Sequence, residues 1–308
     1  MRNIILRFHT AGDIDKSVEK VLHDLGNPEP PLSLDEVRQL LKLDLGYYSS
    51  HKDGMLAEVA HRMVMAGKQI LARPTLIWEA IKTGNIRALY LYDRKKIFID
   101  DDLPELKIRW NTAHEIGHEL NPVHRDTILA DNKTTLSQAC NQQMEAEANY
   151  AAGQLLFLRD RFITEARDHA VIDIKTVKKL GKRYANTMTC TMWRLIEHSM
   201  IPCFGAITVH PQRIDGEFDP ADPLRYFIRS PQFIKRFSKV TEDDVFEHLK
   251  SYCTWAGKGP LGQAEIVIED DNGQRNVFLF ESFHNTHEVL TIATHVRVIP
   301  STFSLGMS

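Results

Sequence analysis

The sequence predicts an α+β protein with a helical first part and a β-rich last part. Apolar residues recur at helical spacing along most of the first 200 or so residues, and a pair of strand-like segments interrupts them. After about residue 201 the pattern changes to short β-branched and aromatic runs, which are typical of strands. The sequence shows no repeat of fixed period, which argues against a solenoid.

Three amphipathic helices are predicted before the first strands. Residues 14–25 carry apolar side chains at helical spacing and end before a run of prolines. Ser33 and Glu36 form a capping-box pattern at the start of a second helix. A third helix covers about residues 54–71.

The middle of the chain is predicted to contain a strand pair followed by helices. Residues 88–93 and 96–100 have strand composition and are separated by two basic residues, as in a hairpin or meander. The helices that follow are predicted near 105–121, near 136–157, and as a broken pair over 172–199.

The last part is predicted to be a separate β-rich domain with one helix near 241–253. Asp271-Asn272-Gly273 is a strong hairpin signal between two of its strands. The strands are expected at 203–209, 264–270, 276–283 and 289–299. We therefore expect a first domain over 1–165, a helical connector over 166–200, and a β-rich C-terminal domain over 201–308.

Composition indicates a folded protein with no global attraction to polyanions. The chain has 308 residues, of which 43% are hydrophobic and 26% charged, and its net charge is −3. Its first residues lack the apolar core of a secretory signal, and no run approaches the roughly 18–20 apolar residues that cross a bilayer. The four cysteines form no CxxC pair, which favours free thiols in a reducing cytosol. We expect a cytoplasmic protein with no membrane association.

The main chemical signal is the sequence His-Glu-Ile-Gly-His at residues 114–118. Positions i and i+4 of a helix lie one turn apart on nearly the same face, so His114 and His118 can reach one metal ion. Glu115 projects beside them, where it can take a proton from water rather than bind the metal. This pattern favours a hydrolytic zinc site, and such a site needs a third protein ligand.

Two residues compete for the third-ligand position. His124 fits an extended HExxHxxNxxH pattern with Asn121 in place of the usual glycine. That pattern needs a sharp left-handed turn, whereas Asn121 precedes a proline and is biased towards extended backbone. His124 is therefore the weaker candidate and better suits a role behind the ligands or at the surface.

The stronger candidate is Glu145, in the predicted helix near 136–157. Glu145 and Asn149 share a helix face, so the carboxylate can bind the metal while the amide oxygen accepts a hydrogen bond from a ligand imidazole. Alanines at 148, 151 and 152, together with Gly117, let this helix lie close to the HExxH helix. Glu147 is the fallback ligand.

These residues resemble the ImmA/IrrE family of zinc metallopeptidases. The resemblance rests on Ala-His-Glu-Ile-Gly-His at 113–118 and Glu-Ala-Glu-Ala-Asn-Tyr-Ala-Ala at 145–152, with leucines at 155 and 156. A proline-led helix near 30–38 and the strand at 96–100 are also similar to the family, so the resemblance covers about residues 14–165. The stretch after Leu156 departs from it, because the family commonly has proline there.

The resemblance implies a small gluzincin-like domain that holds one zinc ion through His114, His118 and Glu145, with Glu115 as general base. It also implies an intracellular endopeptidase that cuts a protein substrate such as a helix-turn-helix repressor, and so switches on stress or mobile-element genes. Some relatives carry a GAF-like domain after the peptidase domain. The C-terminal domain is accordingly expected to be sensory or to dock the substrate.

The residues leave two accessory roles open, a second oxyanion donor and a strand that binds substrate. A second donor to the oxyanion is expected, and Tyr150, Tyr184 and His210 are the available side chains. The strand Ile97–Ile99 could bind an extended substrate by strand addition, or could be an ordinary strand of the sheet.

A rival hypothesis is a DNA-binding regulator. Residues 174–196 carry six basic and no acidic residues around a helix–turn–helix break, so Lys178, Lys179 and Arg183 could contact phosphates. The commoner explanation is a solvated basic helix face, and DNA binding is not favoured. A catalytically inactive scaffold is a third hypothesis, which the complete set of candidate ligands argues against.

Overall fold

The computed structural model describes residues 6, 8–48, 88–91, 95–121, 123–124, 138–169, 171–212 and 223–300. These residues form helices and strands in an α+β arrangement, as the sequence predicts. The chain divides into two compact units. The first contains Arg2–Phe162 and Arg183–Asn186, and the second contains Ile163–Lys182 and Thr187–Ser308.

The first unit begins with helices α1 (Phe8–Asp24) and α2 (Leu34–Leu41). The Ser33 hydroxyl accepts a hydrogen bond from the backbone N–H of Glu36 at 3.3 Å, which satisfies one of the free donors at the start of α2. Helix α2 ends at Leu41 because Lys42 adopts a left-handed conformation with φ of 57°. The helix predicted over about residues 54–71 lies outside the described residues.

A three-stranded sheet precedes the HExxH helix. It contains β1 (Asp44–Tyr48), β2 (Ala88–Leu91) and β3 (Lys96–Asp100), with β3 in the middle. The antiparallel β2–β3 pair confirms the predicted hairpin or meander, and β1 adds a parallel strand on the other side of β3. Because both edges of β3 are paired, the prediction that Ile97–Ile99 could receive a substrate strand is wrong.

Helices α3 (Glu105–Leu120) and α4 (Gln138–Leu156) confirm the two helices predicted to follow the sheet, and they pack closely together. A Cβ atom on Gly117 would lie 2.6 Å from the carbonyl oxygen of Ala148 and 3.2 Å from the Cβ of Ala151. Both alanines are fully buried. The two backbones can therefore approach this closely only because Gly117 has no side chain.

Three helices follow α4 along the chain, α5 (Asp160–Arg167), α6 (Ile174–Tyr184) and α7 (Met188–Glu197). The break between α6 and α7 lies where the sequence predicts it, at Ala185, which has a left-handed φ of 50°. Thr187 then caps α7, since its hydroxyl accepts a hydrogen bond from the backbone N–H of Cys190 at 3.2 Å.

The second unit is built on a five-stranded antiparallel sheet with the order β5-β4-β8-β7-β6. Its strands are β4 (Cys203–Thr208), β5 (Tyr226–Arg229), β6 (Gly259–Glu269), β7 (Arg275–His284) and β8 (Val289–Val298). The predicted turn at 271–273 joins β6 to β7, and Gly273 has a φ of 79° there.

Two helices of the second unit complete its aromatic core. They are α8 (Pro231–Arg236) and α9 (Glu242–Tyr252), which begins with a full capping box between Thr241 and Asp244. The core contains Phe204, Phe233, Phe237, Phe278 and Phe280. Most of the predicted connector, including α7, lies in this unit. The three-part division at residues 165 and 200 stays a prediction.

Replacing Gly117 with alanine tests the close packing of α3 and α4. Alanine normally stabilises a helix relative to glycine by about 1 kcal/mol. Here the added methyl group meets a backbone carbonyl, so we expect a net destabilisation of about 1–3 kcal/mol, measured as a lower thermal unfolding midpoint. The matched control is Gly153→Ala in α4, where a Cβ meets nothing within 4 Å and should raise the midpoint or leave it unchanged. Equal midpoints for the two variants would show that the helices are not tightly packed.

Candidate metal centre

Two imidazoles and one carboxylate meet where α3 faces α4. Nε2 of His114 lies 3.1 Å from one carboxylate oxygen of Glu145, and Nε2 of His118 lies 3.6 Å from the other. The two imidazole rings are nearly perpendicular, at an interplanar angle of 88° and a centroid distance of 4.9 Å. One ligand atom from each of the three residues lies within 4.8 Å of the others.

The spacing of these three groups is close to what a tetrahedral zinc ion requires. Zinc bonds of about 2.0–2.1 Å to nitrogen and oxygen put two tetrahedral ligand atoms about 3.3 Å apart. The distances from the two nitrogens to Glu145, 3.1 Å to one carboxylate oxygen and 3.6 Å to the other, lie on either side of that value. Two histidines and one carboxylate are also a common ligand set of catalytic zinc, which leaves a fourth position open.

The three groups favour a positive charge between them. Hydrogen bonds from His114 and His118 hold the pKa of the Glu145 carboxyl well below its usual range. Burial lowers the pKa of His114, but the hydrogen bond with Glu145 and the charge of Glu115 outweigh it, so the pKa is raised. Either a proton or a metal ion can supply the positive charge.

Asn149 lies behind the first histidine. Its amide oxygen is 3.0 Å from Nδ1 of His114. Because this oxygen can only accept a hydrogen bond, Nδ1 of His114 carries a proton, and Nε2, on the side of Glu145, is the nitrogen that would bind a metal ion. The contact thus orients the ring for ligation through Nε2.

Glu115 is a buried carboxyl group next to these residues. Only 7% of its surface is exposed. Burial raises its pKa, the charges of His114 and His118 lower it, and the charge of Glu145 raises it, with a net shift upwards. A carboxyl group in this environment holds a proton more readily than a solvated one, as a general base that later returns its proton must do.

The structure does not bring His124 or Glu147 into the three-residue cluster. Asn121 has extended backbone, with φ of −108° and ψ of 101°, so the left-handed turn of the extended motif is not formed. His124 is fully buried, and its Nδ1 lies 3.1 Å from Nδ1 of His118, on the side of that ring away from Glu145. Burial lowers the pKa of His124, while its hydrogen bond with Glu147 opposes that shift.

Glu147 points to this second histidine and not to the candidate ligands. One carboxylate oxygen lies 2.8 Å from Nε2 of His124, and the amide of Asn121 donates to the same oxygen at 2.8 Å. The amide of Gln143 donates to the other oxygen at 2.9 Å. Sequence reasoning missed the roles of Asn121 and Gln143, because an amide that orients a buried carboxylate has no spacing pattern of its own.

Each of the three candidate oxyanion donors contacts different residues. The Tyr150 hydroxyl donates to Asp15 of α1 at 3.1 Å. Tyr184 is fully buried, with its ring centroid 5.1 Å from that of Phe162. His210 belongs to the second unit, where its Nδ1 accepts a hydrogen bond from a backbone N–H at 3.1 Å. Of the three, Tyr184 is excluded as an oxyanion donor because it is buried among aromatic rings.

Two basic residues of α6, Lys178 and Arg183, have partners within their own units. Nζ of Lys178 lies 3.7 Å from the centre of the Phe283 ring, and Arg183 forms an ion pair with Glu29 at 3.9 Å. Lys179 is exposed. Five of the ten residues of α7 are buried, and the helix packs on β4 and β5, whereas a recognition helix must present a face to the DNA groove. These contacts disfavour the DNA-binding hypothesis.

Within the described part of the chain, none of the helices has the length and apolarity that crossing a membrane requires.

The comparison with protein families gives one match. Residues 75–190 match the model of Peptidase_M78, the IrrE N-terminal-like domain. The match covers less than half of the chain, but it includes all of α3 and α4 and therefore all three candidate ligands. No curated protein matches the chain.

Among solved structures, a Mycobacterium tuberculosis transcriptional regulator aligns with 96% of this chain and 93% of its own, at 13% identity and a TM-score of 0.49. A likeness at this level does not establish a shared fold. The family match is the finding that identifies part of the chain. The match of residues 75–190 to the IrrE N-terminal-like domain supports the resemblance to the ImmA/IrrE family for this segment.

Proposed function

We propose that this chain is a zinc-dependent endopeptidase of the HExxH…E gluzincin type. The observation that carries the proposal is the convergence of His114, His118 and Glu145 within one ligand sphere, inside a segment that matches a peptidase family. The substrate proposed is a protein, such as a transcriptional repressor, whose cleavage switches on a stress or mobile-element response. A cytoplasmic location remains part of the proposal.

The three ligands suit zinc because imidazole nitrogen and carboxylate oxygen are among its preferred donors. A bound zinc ion would polarise the scissile carbonyl and lower the pKa of a water molecule to about 7. Asn149 keeps the ring of His114 aimed at the ion through the 3.0 Å contact with Nδ1. The side chain of Glu145 is 59% exposed, which supports a site open to water and substrate on that side.

Glu115 is the proposed general base. It takes a proton from the attacking water and returns it to the amine that leaves when the peptide bond breaks. His114 and His118 lie on the same helix and would hold the zinc ion beside it. The attacking water and the scissile carbonyl would then lie within reach of Glu115. The burial of Glu115 keeps bulk water from competing for that proton, which favours transfer back to the amine.

The zinc site is tested by metal analysis of the purified full-length protein. After zinc saturation and removal of excess metal, the wild type should retain one zinc per chain and Glu145→Ala should retain little, because two imidazoles alone hold zinc weakly. His124→Ala removes no ligand in this account, so it should retain more zinc than Glu145→Ala, and His210→Ala in the second unit is the control that should retain as much zinc as the wild type. Zinc loss from His124→Ala alone would contradict the ligand set and favour the extended HExxHxxNxxH motif.

The general-base role is tested with Glu115→Gln. This variant should keep one zinc per chain, because Glu115 is not a ligand, yet lose at least about 100-fold in cleavage. Because the substrate is unidentified, cleavage is measured as new protein N-termini, found by N-terminal labelling of cells that produce the wild type or the variant. The same new N-termini at the same rate in both cultures would overturn the assignment of Glu115.

A further inference from the structure

We propose that His124 and Glu147 are positioning residues that hold His118 in the tautomer able to bind metal. The structure places them in a buried chain behind the ligand, which runs from Glu147 through His124 to His118. This inference rests on the proposed metal site, because it gives His118 a ligand role. It adds two residues that the HExxH…E motif does not contain.

Each nitrogen of His118 faces a different group. Nε2 faces Glu145 at 3.6 Å, and Nδ1 faces Nδ1 of His124 at 3.1 Å. A neutral imidazole has one N–H group and one nitrogen with a lone pair. Ligation through Nε2 therefore requires that the proton of His118 lie on Nδ1, and that Nδ1 of His124 accept it.

Glu147 determines which nitrogen of His124 can accept. A carboxylate oxygen of Glu147 lies 2.8 Å from Nε2 of His124, and an ionised carboxylate can only accept a hydrogen bond. Nε2 of His124 therefore carries the proton, and Nδ1 of the neutral ring carries the lone pair. Nδ1 of His118 donates to this lone pair, so Nε2 of His118 is free for the metal.

The reverse tautomers would place two acceptors against each other where His124 meets Glu147. If His124 donated from Nδ1 to His118, its bare Nε2 would face a carboxylate oxygen at 2.8 Å, and two acceptors would repel each other. The amide nitrogen of Asn121 lies near both atoms, 2.8 Å from the carboxylate oxygen and 3.0 Å from Nε2 of His124. With Nε2 protonated, both nitrogens donate to the same oxygen and no acceptors oppose each other at the Glu147 end. At the other end, a bound zinc ion would lie between the bare Nε2 of His118 and the Glu145 oxygen 3.6 Å away.

The carboxylate of Glu147 is held in place by hydrogen bonds to both of its oxygens. Gln143 donates to its second oxygen at 2.9 Å, and Asn121 donates to the first. The orientation of the Asn121 amide is set by the backbone N–H of Val123, which donates to its oxygen at 3.2 Å. His124 is fully buried and Glu147 is 8% exposed, so water competes little for these hydrogen bonds.

Tautomers of the zinc-loaded wild-type protein test the inference without any substitution. Long-range ¹H–¹⁵N NMR spectra distinguish protonated from bare ring nitrogens, and they are recorded at about pH 8, above the ordinary pKa of histidine. We expect the proton on Nδ1 of His118 and on Nε2 of His124. A proton on Nδ1 of His124 in the zinc-loaded protein would overturn the proposal.

Zinc affinity of full-length variants tests the consequence for binding. His124→Leu removes the acceptor, and we expect its zinc affinity to fall about 10- to 100-fold in chelator competition. His124→Asn keeps an oxygen near the position of Nδ1 and should recover part of the loss, which a merely structural role would not predict. The matched control is His210→Leu, which removes a histidine of similar burial from the second unit and should leave zinc affinity unchanged.

The outcomes separate the two proposals. If the wild type binds zinc and His124→Leu binds it equally well, the positioning role is wrong and the metal site stands. If the wild type binds no zinc, the proposed function fails and the positioning role fails with it. Should His124→Leu not fold, the tautomers of the wild type still decide the question.

Discussion

The proposed metal site depends on one packing contact between two helices. The backbone of α4 lies so close to Gly117 of α3 that no side chain fits between them. Gly117 is also part of the segment between the two histidines, so the same turn of α3 supplies both the two histidine candidate ligands and the contact surface. This contact brings Glu145, which is distant in sequence, within 3.1 and 3.6 Å of the two imidazole nitrogens.

Polar residues contact the two imidazoles on the side away from Glu145. Asn149 faces His114 from the helix that also carries Glu145, and His124 faces His118 from the short segment after α3. Both contacts leave Nε2 of the ligand directed at Glu145. A buried polar chain of this kind is stable only when each donor meets an acceptor, and Glu147 with its two amide donors meets that condition.

The sequence predicts the parts of this site that depend on local spacing. His114 and His118 are related by one helical turn, and small residues at 117, 148 and 151 indicate that two helices pack closely. The extended conformation of Asn121 also follows from the proline after it. The route from His124 to Glu147 could not be predicted, because it depends on where the chain goes after α3. The parallel strand β1 was missed because Asp44–Tyr48 is short and contains a glycine, which weakens a strand signal.

Zinc-edge anomalous diffraction from crystals of the zinc-loaded protein tests the central claim most directly, because it locates the ion without assuming its ligands. The account predicts a single anomalous peak bonded to Nε2 of His114, Nε2 of His118 and the carboxylate of Glu145. A peak bonded to His124 or Glu147, or a bound ion away from the two histidines of α3, would contradict it.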